Sequence, residues 1–442
     1  MSTFIIKYFK NLMKYYLITT ALPYINGVIH IGHIYELYIS NIYYIVLKKY
    51  FNPVLTTGLD CHGLIKKTNL LKTDFLNKKK YIYHNFYFFC DKTNSFINKR
   101  ISNWIYAFLS DKNFLYSKST NRFYNKKKNF FIPDKYLKIN CINCNNLIEN
   151  YYCIHCRKEI SSFTILKKEN LILKKINSIF LKTFIFNDWD FSRNKIYNGI
   201  KIISKKNIFF YVWYDAIISY ISNNIKHIKN NYSNLILQII GKDIVYYHKI
   251  FNIILNILNT TKTKIIIHSF LILNNKISKS RIIPIKKDKS FIIKFFFMMN
   301  NNLKKDIIYN IVLIKNLYKK IFLNKIINLF FRIRSFFNIF DNKFLDIFFK
   351  KKNIDYYFFK KKTINNFLKK TLINILIINK KLDLNKFWNK KNKYLTHYYY
   401  SRTIYNYLIN LNFIIKILNN KIIKEKINNN CLIFNLKKFN EI

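Results

Sequence analysis

Ala21-Leu22-Pro23-Tyr24-Ile25-Asn26-Gly27-Val28-Ile29-His30-Ile31-Gly32-His33 stands between two contrasting patterns. Before it, the apolar run from Tyr15 to Thr20 predicts a buried β-strand. After it, from Ile34, apolar residues recur at helical spacing. A strand, a small turn and a helix start with two histidines form a place to hold a phosphate. The helix end presents N–H groups and partial positive charge, and the imidazoles add donors.

Working outward, residues 15–112 alternate apolar runs with helical spacing, as a parallel α/β sheet requires. Residues 116–190 break that rhythm and are read as an insertion. It returns between Asn207 and Ile272, with Phe209 to Trp213 and Leu235 to Ile240 as predicted strands. Beyond about residue 318 there are no glycines or prolines, and the helical spacing predicts an all-α C-terminal domain.

Lys and Arg number 77 against 21 Asp and Glu, a net charge of +56. Such an excess suits a nucleic-acid partner, because cations neutralise phosphates. Lys, Asn, Ile, Phe and Tyr dominate throughout, however, and A/T-only codons encode all five. The greater part of the excess is therefore read as mutational, so charge supports an RNA partner without establishing one. The same bias leaves six glycines in 442 residues. Five of them (Gly27, Gly32, Gly58, Gly63 and Gly241) lie in or beside the motifs discussed here, which points to backbone positions that tolerate nothing larger.

No uncharged apolar run reaches the ~18 residues of a membrane-spanning helix, so no membrane partner is expected. Residues 1–14 are basic, lack acids and are read as an N-terminal extension rather than a presequence. The seven cysteines include Cys141-x-x-Cys144 and Cys153-x-x-Cys156, eight residues apart. Four thiolates at that spacing suit a closed, structural Zn²⁺ site in a reducing compartment.

A second basic segment, Lys276-Ile277-Ser278-Lys279-Ser280, follows a strand-like stretch from Ile265 to Leu273. The two segments together resemble the paired signatures of class I aminoacyl-tRNA synthetases. Seven segments in order, from about Tyr15 to Trp388, resemble the methionyl family. That resemblance implies a Rossmann-type parallel-sheet catalytic domain with a zinc-knuckle insertion, followed by an all-α anticodon-binding domain. The implied boundaries are 1–115 and 193–270 for the two catalytic halves and 116–192 for the insertion. Residues 271–318 then form the stem-contact region and 319–442 the helical domain.

The implied activity is joining methionine to tRNA(Met) through a methionyl-adenylate, with ATP and Mg²⁺. By resemblance the catalytic groups are His30, His33, Lys276 and Lys279. Gly32, Gly241, Asp243, Ser278 and Lys279 contact ATP. Asp60, in Asp60-Cys61-His62-Gly63, holds the substrate ammonium. Ala21, Leu22, Tyr24, Trp213, Ala216, Tyr220, Ile244 and His248 surround the thioether, an apolar, polarizable and weakly accepting group. Asn328, Arg332 and Trp388 read the anticodon by edge hydrogen bonds and stacking. Arg193, in Trp189-Asp190-Phe191-Ser192-Arg193, orients the insertion or touches the reacting groups.

Two positions depart from the family. Ile217 replaces a proline and Asn252 a frequent pocket tryptophan, which predicts looser methionine recognition. The alternatives are another class I synthetase, for Leu, Ile, Val or Cys, or a catalytically decayed zinc-knuckle RNA-binding protein. The stretch 116–190 is too short for the editing insertion of the large aliphatic enzymes. A cytoplasmic monomer of bacterial type is expected, with an organelle as the other setting.

Overall fold

The computed structural model describes residues 16–24, 30–48, 51–63, 87–89, 93–126, 130–131, 139–140, 144, 147–148, 171–183, 188–194, 198–225, 235–273, 275–276, 290–300, 305–329 and 373–380. Along the chain run strand β1 (Tyr16–Thr20), helix α1 (Ile31–Leu47), strands β2 (Val54–Gly58) and β3 (Tyr87–Phe89) and helix α2 (Phe96–Asp111). Strands β4 (Leu115–Asn125), β5 (Leu171–Leu181), β6 (Trp189–Asp190), β7 (Ser192–Asn194) and β8 (Ile208–Phe210) lead to helix α3 (Val212–Ser222). Then come β9 (Leu235–Gly241), α4 (Val245–Ile257), β10 (Lys262–His268), β11 (Leu271–Leu273) and β12 (Asn275–Lys276). Helix α5 (Ser290–Met299), β13 (Ile307–Ile308) and α6 (Ile311–Leu317) follow, and α6 continues as a π-helix over Tyr318–Ile327.

The chain divides into two compact units. One comprises residues 1–58, 67–90 and 226–442, the other residues 59–66 and 91–225. The first holds a five-stranded sheet in the order β10-β9-β1-β2-β3, parallel throughout. This is the Rossmann-like sheet expected of the α/β rhythm. In such sheets ligands gather at the carboxyl ends of the strands, where the order reverses beside the first strand.

Helix α1 packs on this sheet through a stripe at helical spacing: Ile31, Tyr35, Tyr38, Ile39, Ile42 and Val46, all buried. The stripe shares a core with Ile18, Leu55, Leu237 and Ile239 of the strands and with Phe295 and Phe297 of α5. Each fully buried aliphatic side chain there contributes roughly 1.5–3 kcal/mol. Between the strand ends, the Thr20 hydroxyl donates to that of Thr57 at 2.7 Å.

In the second unit β4 and β5 pair antiparallel over their whole length, Leu115 opposite Leu181 and Asn125 opposite Leu171. Arg122 forms an ion pair with Asp190, and Arg193 lies 3.5 Å from the same carboxylate. Tyr106, Phe191, Phe210 and Tyr214 form an aromatic cluster.

One predicted strand is corrected. Phe209 to Trp213 is not extended throughout: β8 ends at Phe210 and α3 begins at Val212, with Tyr211 as its N-cap residue. The aromatic and β-branched run favours a strand by composition. Packing overrides that preference, because the α3 face from Tyr214 to Tyr220 is buried only as a helix. The C-terminal segment lies mostly outside the described residues. Within it, residues 318–329 and 373–380 are helical. No helix among the described residues is long and apolar enough to cross a membrane.

Candidate active site

The helix start at His30 is built in an unusual way. His30 is the N-cap residue of α1, and its Nδ1 accepts the Gly32 backbone N–H at 3.2 Å. The His33 Nδ1 accepts the His30 backbone N–H, also at 3.2 Å. This is the reciprocal capping arrangement usually made by a hydroxyl and a carboxylate, made here by two imidazoles. The rings stack with centroids 3.8 Å apart.

A backbone N–H can only donate, so both Nδ1 atoms are unprotonated. Each ring is therefore the neutral tautomer that carries its proton on Nε2. Two of the N–H groups expected to face a phosphate are thus taken up within the turn, and the donor atom of each ring is Nε2. Gly32 is tight for space: a Cβ there would stand 3.0 Å from Cε1 and Nδ1 of His30, so the His30 ring would have to shift to admit one.

One turn along α1, Glu36 bridges two strand ends. Its Oε1 accepts the Ala21 N–H at 2.7 Å, just after β1. Its Oε2 is 2.9 Å from Nε2 of His268, the last residue of β10. His268 in turn donates from Nδ1 to the Ser269 carbonyl at 2.9 Å. Both ring nitrogens therefore face acceptors, an arrangement that favours the imidazolium. Burial by itself lowers this group, but the Glu36 carboxylate and the Ser269 carbonyl outweigh it and raise the imidazole above its ordinary value.

Gly241 ends the neighbouring β9. A Cβ there would lie 2.9 Å from Oδ1 of Asp243 and 3.7 Å from the His268 ring. Lys242 pairs with Asp306 at 2.7 Å, and the Asp306 carboxylate also accepts the Phe270 N–H. On α4, Ile244 is the N-cap residue and His248 donates from Nδ1 to the Ile244 carbonyl at 2.9 Å. Burial pushes the His248 imidazole down to about 4, so it is neutral at physiological pH. Ala21, Leu22 and Tyr24 are half-buried just after β1.

The second unit carries Asp60, Trp213, Ala216 and Tyr220. The last three lie on one face of α3 at i, i+3 and i+7, with Ala216 and Tyr220 buried. Asp60 is held by a network that the sequence did not announce. Its Oδ1 accepts the His62 N–H at 3.2 Å, and the His62 imidazole bonds to the Asp215 carboxylate of α3. Asn98 of α2 donates to the Asp215 carbonyl at 3.0 Å and accepts from Ser222 at 2.7 Å. The Cys61 N–H donates to the Thr93 hydroxyl at 3.0 Å. Gly63 turns the loop at φ 91°, a conformation that favours glycine, and its N–H donates to the Asn198 carbonyl.

Burial pushes the Asp60 carboxyl up to about 8, and the nearby Asp215 adds to the rise. Burial would lower the His62 imidazole, but the Asp215 carboxylate raises it. His62, Asp215 and Asn98 are the residues that sequence reasoning missed here, and Glu36 and His268 those missed in the first unit. His62 and Asp215 stand inside motifs that were read for their neighbours. Helical spacing from His30 makes Glu36 visible, but nothing local identifies its partner.

The main chain at Lys276 lies in β12, which pairs antiparallel with β11 directly beyond β10. Ser278 and Lys279 lie outside the described residues, as do Cys141, Cys153, Cys156, Arg332 and Trp388. Cys144 is half-buried, and Asn328 is exposed at the end of its helix. The strands Ile139–Asn140 and Leu147–Ile148, which flank the first cysteine pair, run antiparallel to each other.

The family model for class I tRNA synthetases (M) matches residues 16–186 and 168–334. The chain belongs to that family. The methionine–tRNA ligase of Wigglesworthia glossinidia brevipalpis is 30% identical over 422 residues, covering 78% of this chain and 75% of that protein. The methionine–tRNA ligase of Buchnera aphidicola subsp. Baizongia pistaciae (strain Bp) is 29% identical, covering 74% and 73%. Among solved structures, Mycobacterium tuberculosis methionyl-tRNA synthetase in complex with methionyl-adenylate matches with a TM-score of 0.67. At 16% identity over 92% of each chain, that match speaks for the fold alone.

Proposed function

We propose that the chain is a methionine–tRNA ligase, which activates methionine with ATP and transfers it to the 3′-terminal ribose of tRNA(Met). The observation that carries this reading is family membership across residues 16–334, together with the capped His30–His33 turn beside the parallel sheet.

The chemistry follows from the groups present. The methionine carboxylate attacks the α-phosphorus of ATP, a P–O bond forms and pyrophosphate leaves. Charge builds on the phosphate oxygens, where the Nε2–H groups of His30 and His33 and the ammonium groups of Lys276 and Lys279 stabilise it. Mg²⁺ bound with ATP supplies further charge neutralisation. Gly32, Gly241, Asp243 and Ser278 are assigned to the nucleotide, with Asp243 on the ribose. A ribose hydroxyl of the tRNA then attacks the adenylate carbonyl, and AMP departs.

Asp60 is assigned to the methionine ammonium. Ala21, Leu22, Tyr24, Trp213, Ala216, Tyr220, Ile244 and neutral His248 are assigned to its side chain and surroundings. Cys141, Cys144, Cys153 and Cys156 are assigned to a structural Zn²⁺. The donor set, and the antiparallel strands that flank its first half, suit that ion. Asn328, Arg332 and Trp388 are assigned to the anticodon on a helical domain. The protein is read as a monomer of the bacterial cytoplasmic type.

ATP–pyrophosphate exchange with a panel of amino acids tests the reading. Exchange stimulated by methionine supports it; exchange stimulated by Leu, Ile, Val or Cys instead, or by none, overturns it.

A further inference from the structure

The second unit buries three titratable side chains in one network. Asp60, His62 and Asp215 are 8%, 4% and 0% exposed. His62 and Asp215 bond to each other through Nδ1 and Oδ2. One proton shared in that bond leaves the pair neutral overall, whichever partner holds it. His62 also lends its backbone N–H to Asp60, and its ring donates to the side chain of Asn94, which favours the protonated imidazole.

Asp60 is then the member without a counter-charge. The other group bonded to it, the Thr93 hydroxyl, is neutral, and so are Asn98, which holds the Asp215 carbonyl, and Tyr214 beside Asp215. Tyr214 donates its phenol hydrogen to the Ser102 carbonyl, and burial raises that phenol well above its ordinary value. No lysine or arginine bonds to Asp60, His62 or Asp215 among the described residues. A carboxylate buried without a cation is strongly disfavoured, and it takes up a proton instead.

We propose that Asp60 is protonated in the empty site and releases its proton when an α-ammonium group arrives, so that amino-acid binding is coupled to proton release. This rests on the assignment of Asp60 to the methionine ammonium. The balance is simple. The Asp60 O–H bond breaks, the proton passes to solvent, and the carboxylate left behind pairs with the incoming ammonium, which keeps its own three protons. The network then has the cation it lacked. The His62–Asp215 bond, which joins the Asp60 loop to α3, holds the carboxyl in place through the exchange.

The linkage has a definite sign. Asp60 is pushed up to about 8. Below that value binding must displace a proton, and affinity falls by up to about tenfold for each unit of decreasing pH. Isothermal titration of the full chain with methionine at about pH 7, in buffers of different ionisation heat, reads the protons directly. Close to one proton released per methionine is expected. The methionine Kd should fall as pH rises from about 6 to 8.

Difference infrared spectroscopy should show a protonated-carboxyl C=O band disappearing on binding, and Asp60→Asn should lack that band. Methionine binding without proton release, or release that persists in Asp60→Asn, overturns this inference and leaves the ligase reading standing. No methionine binding at all overturns both.

Discussion

Glu36 and His268 are 232 residues apart in the chain, and their carboxylate and imidazole meet at 2.9 Å across the ends of α1 and β10. Both His268 nitrogens face acceptors, which favours the ion pair. It joins the backbone after β1 to the end of β10. Besides Glu36, the groups around the ring are the Asp243 carboxylate and the edge-on ring of Tyr35.

The first prediction concerns this pair and pH. Burial would lower His268, but Glu36 raises it, so the imidazole is raised relative to the unfolded chain. Such a group stabilises the fold fully below its unfolded value near 6.5, and the contribution is lost as pH rises through the folded value. His268→Gln should lose about 3 kcal/mol of unfolding free energy at about pH 6, because it leaves the half-buried Glu36 without its cation. The gap to wild type should narrow towards alkaline pH. Urea unfolding across that range checks this, and a gap independent of pH contradicts it.

The second prediction separates capping from chemistry at His30. Asparagine is a competent N-cap residue, so His30→Asn should preserve α1 and leave Tm nearly unchanged. It lacks the imidazole Nε2–H proposed to stabilise the phosphate charge. The rate of pyrophosphate exchange should fall about a hundredfold, typical of losing one oxyanion donor. Equal loss of stability and rate would mean that the cap is its whole role.

At Gly241 the crowded atom is the end of a side chain, Oδ1 of Asp243, and the backbone φ is an ordinary −69°. Gly241→Ala should therefore fold with a Tm close to wild type while it displaces the Asp243 carboxylate. The expected result is a higher KM for ATP with little change in KM for methionine. A marked drop in Tm would show that the backbone, rather than Asp243, yields.

Asn252 keeps its Oδ1 buried without a hydrogen-bond partner among the described residues. Asn252→Leu removes that acceptor at similar volume and should gain about 1 kcal/mol in unfolding free energy. Asn252→Trp, which restores the residue frequent in the family, should sharpen discrimination between methionine and homocysteine in pyrophosphate exchange. An unchanged ratio would separate this position from specificity.

Reading the fold from the chain worked where the signal was local. The alternation from Tyr16 to Leu47 carries its own period, and the scarcity of glycine singled out Gly32, Gly63 and Gly241. It worked less well around Trp213, where a run of aromatic and β-branched residues suits a strand or a helix equally. Only burial of the face from Tyr214 to Tyr220 decides for the helix.

What the amino-acid order determined unaided was the strand–turn–helix frame and the pairing of His30 with His33, because capping and hydrophobic periodicity act within a few residues. The partners of Glu36, Asp60 and His62 were settled only by tertiary structure. A buried charge has no say in local conformation. Its counter-ion is whichever group the packing of distant strands and helices delivers, as β10 delivers His268 to Glu36 and α3 delivers Asp215 to His62.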